Sequence, residues 1–335
     1  MNTTFQLALA GFLLIGAVTA QTPAPAAAPA NAARPAQNFD NVEVHVLPVQ
    51  GNVYMLVGAG GNIAVQVGKE GVLVVDTSFA QMADKVLAAI RTLSDKPIQY
   101  IINTHVHPDH IGGNEKLAKA GKSIVGGNFV ANVGQEAAST ANIIAHENVM
   151  NRMSAPTGAT APTPSAAWPT DTYFTASKDM FFNGEAIQLF HEANAHTDGD
   201  SIVFFRRSDV VVAGDIFTPA TYPFIDLARG GNIQGIVKGL NHIIDITVPA
   251  EKQEGGTYVI PGHGRLCDEA DVVEYRDMVT IVRDRVLDMV KKGMTLAEVK
   301  AAKPTMDYDP LYAPENPAAV DRFVEGVYNS LAPKK

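Results

Sequence analysis

Ten consecutive residues constrain this chain most: Thr104-His105-Val106-His107-Pro108-Asp109-His110-Ile111-Gly112-Gly113. Three imidazoles and a carboxylate fall within six positions, after a run, Ile98–Asn103, that reads as a buried strand. Apolar residues at helical spacing follow, from Ile111 to Ala120. On an extended backbone alternate residues share a side, so His105 and His107 leave together. Asp109 and His110 come after the turn and can face the other side of a shared cavity. Burying so many ionisable groups in one place is costly unless a cation pairs them. Imidazole and carboxylate donors without a thiolate favour zinc, with manganese, iron or nickel as alternatives.

Three more candidate ligands stand at strand ends. His196 precedes the strand beginning at Ser201, Asp215 closes Val210–Gly214, and His263 sits in Pro261-Gly262-His263-Gly264. Glycines beside these positions let the backbone turn tightly. Each alone could be a capped turn or a surface group; together with the first motif they make seven donors.

The rest of the chain sets these positions in an alternation of strands and helices. Runs at Val42–Pro48, Val53–Val57, Ile63–Val67 and Gly71–Asp76 read as strands, and Gln81–Leu93 as a helix. Ser123–Gly126 reads as a strand and Phe129–Met153 as helical, and Ser154–Ala167 is a long Pro/Thr/Ala-rich loop. Strands return at Ile187–Glu192, Ser201–Arg206, Val210–Ala213 and Thr257–Ile260, with a helix at Gln234–Ile246. Val272–Lys292, Leu296–Ala302 and Pro317–Leu331 make a helical tail. Two strand-rich groups, each followed by helices, imply two packed sheets with helices outside.

The ends and the composition narrow the function further. Phe5–Val18 is almost wholly apolar and leads to Val18-Thr19-Ala20, a small-residue cleavage pattern, although no Lys or Arg precedes it. Residues 1–20 are expected to be a signal peptide, with a retained membrane anchor as the alternative, and export to the periplasm or medium follows. Residues 21–38 form an Ala/Pro linker that cannot build a core. Residues 39–335 then form one domain with a helical extension at 268–335. A formal charge of −9 argues against nucleic acid or an anionic membrane as partner and leaves a small-molecule substrate. The single cysteine, Cys267, cannot make an internal disulfide and reads as structural.

The ordered set of His-X-His-X-Asp-His, then His196, Asp215 and His263, resembles the metallo-β-lactamase superfamily over roughly Val42–His263. The resemblance implies a four-layer αββα sandwich with two metals at one edge. By position, His105, His107 and His196 would hold one zinc and Asp109, His110 and His263 the other, with Asp215 bridging. Asp76, which matches the family's first motif, would support the site without being a ligand. Asp109 would also orient the nucleophile or accept its proton. A bridging carboxylate is typical of the broad hydrolase members, whereas the best-known β-lactamases have another residue there.

The resemblance leaves the substrate open. His107 stands where the diiron members carry Glu, which favours zinc hydrolysis over oxygen reduction; a persulfide dioxygenase is an outside alternative. Export favours a small diffusible substrate with an activated acyl bond, such as a β-lactam or a lactone, with other small esters or phosphodiesters as alternatives. Trp168, Phe217, Tyr222 and Phe224 are candidate pocket residues, near the long loop or just after Asp215. A reading of a different class is a non-catalytic periplasmic metal-binding protein.

Overall fold

The computed structural model describes residues 38–122, 140–155 and 159–333. Phe39–Lys335 form one compact unit. The expected strand at Ser123–Gly126, the 129–139 part of the expected helix and residues 1–37 lie outside the described residues.

The first sheet has seven strands in chain order: β1 (His45–Gln50), β2 (Val53–Val57), β3 (Ile63–Val67), β4 (Val72–Val75), β5 (Ile98–Ile102), β6 (Asn142–His146) and β7 (Asp171–Tyr173). The first four make an antiparallel meander, and β4 to β7 run parallel. The second sheet comprises β8 (Ser177–Phe182), β9 (Glu185–Glu192), β10 (Asp200–Phe205), β11 (Val210–Gly214) and β12 (Tyr258–Pro261), in the order β12-β11-β10-β9-β8.

Period-two alternation builds the layers. In β4, Leu73 and Val75 face the second sheet, while Val72 and Val74 face helices. In β10, Val203 and Phe205 face the first sheet, while Ile202 and Phe204 face helices on the other side. The core between the sheets joins Met55, Ile102 and Ile144 to Ile187, Leu189, Val212 and Ile260. Burial of each such side chain contributes roughly 1.5–3 kcal/mol. Outside the first sheet pack α1 (Ala83–Leu93) and, after the short α2 (Pro108–Ile111), α3 (Asn114–Lys119). A short α4 (Glu147–Met153) follows β6. Outside the second sheet pack α5 (Ile233–Ile246), α6 (Glu269–Lys291), α7 (Leu296–Ala301), α8 (Asp309–Tyr312) and α9 (Pro317–Leu331). The fold is a four-layer αββα sandwich with extra C-terminal helices.

Several local expectations are corrected. The expected helix through Met153 contains β6, because Ile143, Ile144 and Ala145 fill a slot buried on both faces beside β5. Such a strand shows no alternation, so its apolar run looks helical. Ile111–Ala120 divides into α2 and α3 at Gly112-Gly113, where a Cβ would stand 2.5 Å from Ala80 N and 2.4 Å from Thr77 O. Strand β7 is too short to show a pattern, and β8 is a partly exposed edge strand; neither is among the strands expected from the sequence.

Candidate metal centre

All seven candidate donors lie at one edge of the sandwich, because the strands that carry them end there. β4 and β5 are parallel neighbours, as are β11 and β12, so Asp76, the 104–113 segment, Asp215 and His263 emerge on the same side. β9 runs parallel to β11 with antiparallel β10 between them, which brings the β9–β10 turn and His196 to that edge.

The side chains form two groups. His105, His107, His196 and Asp215 offer ligand atoms within 4.8 Å of one another, as do Asp109, His110 and His263. Asp215 divides its oxygens between the groups. Its Oδ2 lies 3.6 Å from His196 Nε2 and 3.8 Å from His105 Nε2, while its Oδ1 lies 3.2 Å from His110 Nε2 and 3.4 Å from His263 Nε2. Asp109 Oδ2 stands 3.3 Å from His263 Nε2 and 3.9 Å from His110 Nε2.

The outer nitrogens of four rings are already committed. His110 Nδ1 lies 2.7 Å from Asp76 Oδ2, and Asp76 also accepts from Thr104 N at 2.8 Å and Thr104 Oγ1 at 2.6 Å. Asp76 takes φ 63°, a left-handed conformation that Asp tolerates better than most residues. His107 Nε2 faces Asp226 Oδ2 at 2.8 Å, His196 Nδ1 faces the Phe224 carbonyl at 2.7 Å, and His105 Nδ1 lies 3.1 Å from Thr104 Oγ1. A carbonyl or carboxylate oxygen only accepts, so the ring nitrogen facing it carries the proton and the other nitrogen presents a lone pair inward.

The inward atoms fit divalent cations. His105 Nε2 and Asp215 Oδ1 are buried and make no hydrogen bond of good geometry, which is costly unless something else pairs them. His196 Nε2 and His107 Nδ1 face each other at 2.8 Å.

The charges differ between the two groups. Burial holds His105 well below the ordinary imidazole range and His196 down to about 4, so both are neutral and available as ligands. At His110 burial opposes the charged form, but the carboxylates of Asp215 and Asp76 outweigh it and hold the ring well above 6.5. Burial likewise opposes a charged His263, and the nearby carboxylates of Asp109 and Asp215 raise it to about 9.

The hairpin turn between β2 and β3 closes one wall of the centre. Gly61 N donates to Asp109 O at 3.0 Å, Asn62 N to Gly262 O at 2.8 Å, and the Asn62 side-chain amide to Pro261 O at 2.9 Å. The approach needs glycine: a Cβ on Gly61 would stand 2.3 Å from His110 Cε1.

The four aromatic candidates separate. Phe224 is 44% exposed, with its ring 6.0 Å from that of His107 and 5.7 Å from that of His196. Trp168 packs on a small cluster that includes Val106, and its indole donates to Thr163 O at 2.8 Å. Phe217 and Tyr222 are corrected as pocket residues. Phe217 is fully buried against Tyr275, and Tyr222 is buried against the C-terminal helices, so neither has surface to offer a substrate. Asp226 and Asn62 are residues at the site that the sequence does not reveal, because nothing in their spacing marks a residue that meets the site only through a loop; Thr104 stands in the motif itself, but its bonds to Asp76 are not legible there.

Comparison with known proteins agrees with this geometry. Residues 47–128 match the family model described as the metallo-beta-lactamase superfamily. The chain is 25% identical over 291 residues to a linear primary-alkylsulfatase of Pseudomonas sp. (strain ATCC 19151), covering 77% of this chain and 53% of the relative. Among solved structures, the inverting sec-alkylsulfatase Pisa1 from Pseudomonas sp. superposes with a TM-score of 0.62 at 17% identity, covering 85% of this chain and 50% of that one. A metallo-β-lactamase from Pontibacter korlensis superposes with a TM-score of 0.53 at 14% identity, over 71% of this chain and 99% of its own. The chain thus spans about half the length of the alkylsulfatases it matches. Motif order, the layered fold and these likenesses make the chain similar to the metallo-β-lactamase superfamily, with the family model itself matched over residues 47–128.

Proposed function

We propose that this protein hydrolyses small, partly apolar esters or strained amides with the help of two divalent cations, zinc by the chemistry of its donors. The observation that carries the reading is Asp215, which turns one oxygen toward each group of imidazoles. His105, His107 and His196 would hold one cation, Asp109, His110 and His263 the other, and Asp215 would touch both. A cation pair of this kind supplies an activated water and polarises the oxygen of the bond to be cleaved.

The chain's own groups handle protons and position. Asp109 keeps a partly exposed carboxylate at the rim, 3.3 Å from His263 Nε2, where it can orient the attacking water and take its proton. The water oxygen joins the electrophilic centre, the ester or amide bond breaks, and the leaving oxygen or nitrogen departs with a proton. Phe224 offers an apolar face beside His107 and His196 for the organic part of the substrate.

Alkyl sulfates are the first class to test, supported by the primary-alkylsulfatase relative. β-Lactam and lactone rings are the second, supported by the superfamily match; the bridging carboxylate counts against the β-lactam of the two. The panel is alkyl sulfates, chromogenic β-lactams, lactones and phosphodiesters, run on zinc-reconstituted protein with metal content measured in parallel. Turnover of one class that stops on chelation supports the reading. Two bound metals without turnover of any class would favour a metal-binding protein that does no chemistry. Export is proposed from residues 1–20, and the N-terminal mass of the protein purified from its host tests it.

A further inference from the structure

The extra C-terminal helices have no part in the seven donors, yet they reach the site through one loop. That loop follows β11 and Asp215. Within it, Phe224 and Asp226, on either side of Ile225, each fix one imidazole of the first group. The Phe224 carbonyl faces His196 Nδ1 at 2.7 Å, and Asp226 Oδ2 faces His107 Nε2 at 2.8 Å. Asp226 N also donates to His196 O at 3.0 Å, and Arg229 Nη1 holds the same carboxylate oxygen at 2.7 Å. One short stretch of loop therefore sets the orientation of two of the three rings.

The segment is held in turn by the helical extension. Ile225 is buried and lies on Gly326 of α9, where an added Cβ would stand 3.3 Å from both Ile225 Cβ and Ile225 Cδ1. Tyr222, three residues before Ile225, stacks on Phe323 of α9 with centroids 4.7 Å apart and planes 12° apart. Its hydroxyl donates to Asp309 Oδ1 at 2.8 Å and lies 3.2 Å from Thr305 O. Just beyond the loop, Ser330 Oγ of α9 accepts from Ile233 N at 3.3 Å.

We infer that α9, through Gly326 and Phe323, is a positioning element for the first cation group: it holds Ile225 and Tyr222 so that Phe224 and Asp226 present His196 and His107 inward. Gly326 is the sensitive contact, because a larger side chain there must push Ile225 and with it both clamping residues.

The inference rests on the two-cation reading, and cobalt(II) titration of the full chain separates the two. Wild-type protein should take up two equivalents. Gly326→Val should weaken one of them at least about tenfold, the scale seen when groups that orient a metal-ligating imidazole are lost, and leave the other nearly unchanged. Asp226→Asn should weaken the same equivalent. Val327→Ala removes buried packing from the same helix at the position next to Gly326, and should leave both equivalents in place. Should the valine block folding, Tyr222→Phe carries the test: it keeps the stacked ring, removes only the hydroxyl, and should weaken that equivalent more than Val327→Ala does. Equal effects of Gly326→Val and Val327→Ala, or two unchanged equivalents in Gly326→Val, would overturn the inference alone. A wild-type protein that binds no cobalt would overturn the two-cation reading and this inference with it.

Discussion

His196 Nε2 and His107 Nδ1 stand 2.8 Å apart, each with its other ring nitrogen turned to an acceptor. With those outer nitrogens as donors, the inward nitrogens are the ones free to bind, and a cation between them turns a crowded contact into binding. Zinc should therefore stabilise the fold. At a free concentration about a thousandfold above Kd the gain is about 4 kcal/mol, and thermal melts with zinc and with chelator should differ by several degrees. Coincident melts would count against the site.

Asp215→Ala should remove the one carboxylate shared by both groups. Metal content should fall below one equivalent, with activity reduced at least about a hundredfold, while far-UV circular dichroism stays unchanged. Retention of two metals would contradict the bridging role.

Asp109→Ala should abolish most turnover in a folded protein, because it removes both a donor and the group placed to take the water's proton. Wild-type kcat in the folded variant would refute the assignment.

Metal uptake should depend on pH through His263. Burial opposes its charged form, but the nearby carboxylates of Asp109 and Asp215 raise this group from 6.5 to about 9. In metal-free protein its charged form stabilises the fold fully below about pH 6.5, and that contribution is lost as pH rises through about 9. A cation needs the neutral ring, so zinc affinity should climb across the same window, with proton release at neutral pH. Calorimetry in buffers of different ionisation enthalpy measures that release; its absence would contradict the assignment.

Cys267 should be inert in the native protein. Burial pushes its thiol up to about 12, and the side chain is covered. A thiol reagent should label it only after denaturation; rapid native labelling would show that the helical extension opens.

Much of the site is legible in the sequence because metal ligands are chemically distinctive and close together along the chain. His105, His107, Asp109 and His110 announce a cation by their spacing, whereas Leu73 and Val75 take one face of β4 and Val72 and Val74 the other, so an unbroken apolar run marks a sheet covered on both sides. The same property hides β6, whose apolar run carries no alternation to tell it from a helix. β8 is a partly exposed edge strand with a weak apolar signal. Phe217 and Tyr222 are near a ligand in sequence yet point into the core, because proximity along the chain does not fix the direction of a side chain.

By itself the sequence determined which donors exist, in what order, and the layered class of fold that could gather them, since residue chemistry and hydrophobic period are local properties. Only the tertiary structure decided that Asp215 faces both groups, that Asp226 and Phe224 orient His107 and His196, and that α9 backs the loop carrying them. Those relations join residues far apart in the chain, and no local pattern encodes a distance that only the packing of sheets and helices sets.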